Sequence, residues 1–175
     1  MPLPFPQNLD RLTTLELEKA LTAQTQRLAL IHLGLNRKSQ VTLSNSQPYL
    51  LIHTEELGRL ATFGQLLAAQ ARHFELQTNL PAAAAAYLDL IQYAHALSRG
   101  GLLIDRLVGL AAEKNAIAGL FALHQKLSTP DCHALIKPLH TIDTDAEPFQ
   151  QTLDRERAWA NASFGWSSRL LYLLK

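Results

Sequence analysis

The sequence predicts an all-α fold of five or six helices, paired as hairpins and packed around a central apolar helix. Three observations carry this expectation. Apolar residues recur at helical spacing along most of the chain. Leu57 to Leu127 divides into three consecutive helices, separated by Thr78-Asn79-Leu80-Pro81 and by Gly100-Gly101. The third of these, residues 102–127, is apolar on nearly every side, and a helix with two apolar faces requires two neighbours. The central position is therefore assigned to residues 102–127.

Each element follows from its boundary signals. Residues 1–12 form a proline-rich arm, with Pro2, Pro4 and Pro6 favouring an extended chain. Residues 13–175 make one helical domain. Thr13 with Glu16 has capping-box spacing, and Leu17, Leu21, Leu28, Ile31 and Leu35 then share a stripe interrupted at Gln24. Gln40 to Ser46 is polar and β-branched and reads as a loop. Pro48 opens a short turn, and Thr54 caps a helix running to about Gln77 with Leu57, Leu60, Leu67, Ala71 and Phe74 inward.

Pro81 suits the start of the next helix, which continues through the alanine run 82–86 to about Ser98 and stops at the glycine pair. The long helix that follows offers Leu103, Leu107, Leu110 and Ile117 on one side. Its other side carries Ile104, Val108, Ala111, Ala118 and Ala122. Ser128-Thr129-Pro130 starts a short helix that weakens at Pro138. Residues 141–147 read as an acidic linker. Pro148 opens a last helix towards Leu174, with Phe149, Leu153, Ala160 and Phe164 on one face.

The hairpin from Thr54 to Ser98 resembles one tetratricopeptide unit, with small residues at Ala71 and Ala83, aromatics at Phe74 and Tyr87, and a turn at Asn79. The wider chain is similar to a family of uncharacterised bacterial helical proteins. The residues that carry this likeness are the hairpin, the run 103–111, and Arg155-Glu156-Arg157. Members of that family commonly carry an N-terminal membrane anchor, which is not seen here. The resemblance implies a fold and no activity.

Composition narrows the function. The chain of 175 residues has a formal net charge of +1, and Arg37-Lys38 is its only adjacent basic pair, so the footprint of a nucleic-acid binder is missing. A single cysteine, Cys132, precludes an internal disulfide. Neither a signal peptide nor an uninterrupted transmembrane stretch is read. The best candidate for the latter, Leu107 to Leu123, is broken by Glu113-Lys114-Asn115. The expected location is cytoplasmic, or peripheral on a membrane complex.

Candidate chemistry is sparse. The seven histidines include no His-Glu-x-x-His and no Glu-x-x-His pattern. Cys132 and His133 with His124 and His140 form the densest set of possible metal ligands, but adjacent ligands suit a closed tetrahedral site poorly. Asp89, Gln92 and His95 lie at spacings of three and read as a solvated helix face. Glu113 interrupts an apolar helix and, if buried, needs a cation, for which Arg155 or Arg157 on the last helix is named. Asn161-Ala162-Ser163 is a chance acceptor match.

These readings favour a non-enzymatic interaction or scaffold module with a protein partner and no cofactor or metal. Tyr49, Tyr87, Tyr93, Trp166 and Tyr172 are the expected contacts, and Glu113–Arg155 is the expected buried polar pair. A homo-oligomer is compatible with this reading. The first alternative is an accessory subunit docked on a membrane-bound complex through its terminal segments. The second is a small-ligand binder or an enzyme of unknown type.

Overall fold

The computed structural model describes residues 13–46 and 48–165. The proline-rich arm, Trp166 and Tyr172 lie outside them. Among the described residues the chain is all-helical, with segments α1 (Thr14–Thr22), α2 (Thr25–Leu35), α3 (Tyr49–Leu76), α4 (Leu80–Ser98), α5 (Leu103–Leu123), α6 (Thr129–Thr144) and α7 (Phe149–Phe164). The first two are one amphipathic stripe broken at Ala23-Gln24, so six helices result if the pair is counted once.

Local signals set most boundaries. Glu16 accepts from both the backbone N–H and the hydroxyl of Thr13, which in turn accepts from the Glu16 N–H. These bonds to Thr13 hold the Glu16 carboxyl below its usual range. The Asn79 side chain caps α4 at the Ala82 N–H, and Ser128 caps α6 at the Asp131 N–H. Gly100, at φ +73°, turns the chain between α4 and α5.

Two boundaries and one buried face differ from expectation. Thr54 does not cap α3, which already begins at Tyr49. The Thr54 hydroxyl instead bonds back to the Leu50 carbonyl at 2.6 Å, inside the helix. Helix α6 runs through Pro138 to Thr144, taking in half of the expected acidic linker. It has no buried residue, so the carbonyl that Pro138 leaves without a donor is on a solvated helix. On α7 the inward residues are Thr152 and Trp159, while Phe149 and Phe164 stand about half exposed, at 48% and 45%.

The helix at the centre is α4, not α5. It packs against α3 on one side and α5 on the other, and also touches α2 and α6. Its buried set, Ala83, Ala84, Ala86, Tyr87, Leu90, Ile91, Tyr93, Ala94 and Leu97, covers most of its circumference. The alanines explain the position, because short side chains let neighbours close in on several sides. Contact with α5 is tightest at its glycines. A Cβ at Gly109 would stand 2.7 Å from the Ala94 carbonyl oxygen, and one at Gly119 would run into the Tyr87 ring. Helix α5 buries only the face of Asp105, Gly109, Ala116 and Leu123, and its other apolar side stays open.

Candidate functional site

Three arrangements of side chains stand out, and the first is a buried polar clasp. His53 Nε2 lies 2.6 Å from Asp105 Oδ1, joining α3 to α5, with side chains 7% and 0% exposed. The other Asp105 oxygen accepts the Leu102 N–H at 2.7 Å, which caps α5. Gly101 is required here, since a Cβ would fall 2.6 Å from the Asp105 side chain. Tyr49 stacks on His53 with ring centres 4.9 Å apart, and Trp159 tilts against Tyr49 at 6.1 Å. The Trp159 indole N–H donates to the Ser44 carbonyl at 2.7 Å, tying the 40–46 loop to α7. Burial, then the charges of Asp105 and Glu56, push the Tyr49 phenol up to about 12.

The same clasp takes in α7. Arg155 donates to the Gly101 carbonyl at 2.7 Å and pairs with Glu147, which accepts the Gly100 N–H, also at 2.7 Å. Glu156 accepts the Leu103 N–H at 2.8 Å. The Gly100, Leu102 and Leu103 N–H groups and the Gly101 carbonyl on the turn between α4 and α5 are thereby anchored, and this geometry serves packing.

The expected Glu113–Arg155 pair does not form. Glu113 faces His95 of α4 at 3.2 Å, and Arg155 serves the turn one helix end away. The reason is register: Glu113 lies on the α4 side of α5, whereas α7 meets α5 at its N-terminal end. Of the expected contact aromatics, Tyr87 and Tyr93 are buried, at 8% and 9% exposure. The Tyr87 hydroxyl donates to Glu75 at 2.6 Å and the Tyr93 hydroxyl to the Leu60 carbonyl at 2.7 Å. Both lock α4 to α3, and Tyr93 also lines the apolar groove between α3 and α5. Burial also raises the Tyr93 phenol. Tyr49 is half-buried in the clasp.

The second arrangement is a groove of about 890 Å³ between the end of α2 with the chain that follows it, α4, and α6. Its walls include Asp89, Gln92 and His95, so this row is not a solvated face. Asp89 meets His32 Nδ1 at 3.2 Å, and His32 Nε2 meets Gln70 Oε1 at 3.1 Å, so one imidazole bridges α2, α3 and α4. Gln92 donates to the Leu35 carbonyl at 2.7 Å. Burial raises the Asp89 carboxyl, partly offset by His32.

The third is an apolar groove of about 520 Å³ between α3 and α5, floored by α4. Ala61, Gly64, Ala68, Ala111 and Ala112 keep it open, and Gln65 and Asn115 are its amide-bearing residues. It adjoins the exposed side of α5, where Leu107, Leu110, Ile117 and Phe121 are 57%, 41%, 51% and 73% accessible.

Cys132, His124, His133 and His140 do not gather: no group of three such residues able to hold a metal occurs among the described residues. None of the described helices is long and apolar enough to cross a membrane. The chain matches no protein-family profile, no curated protein and no solved structure. Among the described residues the fold defines a class: an all-α protein of helical hairpins around α4, with a mixed groove and an apolar groove on its surface.

Proposed function

We propose that this chain is a non-enzymatic protein–protein interaction module, with tetratricopeptide-like use of its hairpins, that holds a helix of a partner against α5. The observation that carries the reading is the open side of α5. Leu107, Leu110, Lys114, Ile117 and Phe121 follow one another at alternating steps of three and four. That is the spacing of a coiled-coil seam, here without a second helix among the described residues. Exposed apolar area of this kind, continuous with an apolar groove, is what interaction surfaces present.

Lys114 is the single charged residue in the seam. A lysine at such a position specifies register, and it suits a partner helix with an acidic residue opposite. Leu107, Ile117 and Phe121 are the anchors this surface would use, in place of the buried tyrosines.

Photo-crosslinking tests the reading. A photoreactive residue at Phe121, and another at Leu107, should each trap the same protein in the native source. The same residue at Leu30, exposed on α2, should not trap it. Ile117→Glu should abolish the crosslink without shifting the melting temperature. Trapping that is equal at Leu30, or indifferent to Ile117→Glu, would remove α5 as the docking surface.

A further inference from the structure

We infer that the groove between α2, α4 and α6 is a binding site for a small amphiphilic anion, a single carboxylate or phosphate head on an apolar body. This goes beyond the interaction reading and uses a different face, since no residue of the α5 seam lines it.

Charge argues for the head. Arg37, Lys38, Arg99 and Lys137 line the groove, and none makes an ion pair among the described residues. The opposing acids are Asp89, already engaged by His32, and Asp145. Cations near helix C-termini also neutralise backbone dipoles, and α2, α4 and α6 all end here. Each end counts for about half a negative charge, so the four cations, two carboxylates and three helix ends leave a small positive excess of roughly half a charge. That surplus suits one carboxylate or phosphate and is too small for a polyanion.

Apolar surface argues for the body. Leu35, Ala85, Leu88, Ala96, Pro138 and Ile142 share the same walls, and a volume of about 890 Å³ lies within the range of small-molecule sites. His95 adds a polar demand. Its side chain is 10% exposed, and its Nδ1 has no hydrogen-bond partner while Nε2 faces Glu113. With Nε2–H donating to the Glu113 carboxylate, Nδ1 is an acceptor, and a buried acceptor left in this state is costly and gains from a donor admitted beside it, such as the remaining hydroxyl of a phosphate monoester.

Calorimetric titration of the full chain distinguishes the possible sources. The probes are decanoate, decyl phosphate, inorganic phosphate and decanol, all kept below micelle formation, with a hexaglutamate peptide as a further arm. The expected result is saturable one-to-one binding of decanoate or decyl phosphate, at least tenfold tighter than decanol or inorganic phosphate. Lys137→Glu and Ala85→Glu replace exposed groove residues. Each should weaken that binding at least tenfold while leaving the melting temperature unchanged. Decanol binding equally well would leave only an apolar crevice. Phosphate alone binding equally well would leave only a charge patch. Tighter binding of hexaglutamate would reassign the groove to an acidic protein segment. No saturable heat with any probe, or affinity indifferent to both variants, would overturn the proposal.

Discussion

His53 and Asp105, which come from different hairpins, meet as a closed pair beneath the ring of Tyr49, with Nε2 2.6 Å from Oδ1. The same device recurs at His32–Asp89 between α2 and α4 and at His95–Glu113 between α4 and α5. Three helix contacts are thus each pinned by one imidazole and one carboxyl. Only the pair at Asp105 is sealed, and it also caps a helix.

Asp105→Ala should therefore be the most damaging single polar change. It leaves the buried His53 Nε2 and the Leu102 N–H without their partner, and breaking a buried pair from one side costs about 3–5 kcal/mol. Urea unfolding at neutral pH checks this. Asp143→Ala on exposed α6 is the control and should cost under about 0.5 kcal/mol.

Gly109→Ala should destabilise more than Gly34→Ala. The Gly109 Cβ would meet the Ala94 carbonyl oxygen of α4 at 2.7 Å, a backbone atom that cannot turn aside, whereas Gly34 has open space. Forcing α4 and α5 apart is an overpacking cost of about 1–3 kcal/mol. Gly34→Ala should be neutral or stabilising, since alanine is the better helix former. Paired thermal melts separate the two.

Tyr49 should titrate late. A phenol raised in the folded state from 10.0 to about 12 favours the protonated form. Its contribution to stability is thus complete below pH 10.0 and lost as pH rises towards about 12. Ultraviolet difference titration of the native chain against Tyr49→Phe should show the missing phenol ionising near 12, and ionisation near 10.0 would contradict its burial beside Asp105 and Glu56.

Asp89 sets the opposite end of the pH scale. Its folded carboxyl is raised above 3.8, mainly by burial. Stability linked to this group is therefore full below 3.8 and declines as pH climbs through the raised value. Denaturant midpoints measured across that window should fall less in Asp89→Asn than in the parent chain. An equal decline in both would mean that Asp89 does not carry this linkage.

The sequence by itself determined several helix boundaries through local signals, although Thr54 and Pro138 misled. Thr13 with Glu16, Asn79 before Pro81, Gly100 and Ser128 each act on backbone within about four residues, so their effect is legible without a fold. The all-α class followed from the same periodicity. Tertiary structure decided which apolar helix became central. Periodicity marks a face as apolar but does not say which neighbour covers it, and short alanine side chains gave that place to α4 while Leu107, Ile117 and Phe121 of α5 stayed open. It also decided the polar pairs. His53 and Asp105 stand 52 residues apart and carry no spacing signal, so Asp105 reads as an ordinary first-turn acid until α3 lies beside it. Glu113 and Arg155 are complementary in charge, yet register on α5 directs one to His95 and the other to the Gly101 carbonyl.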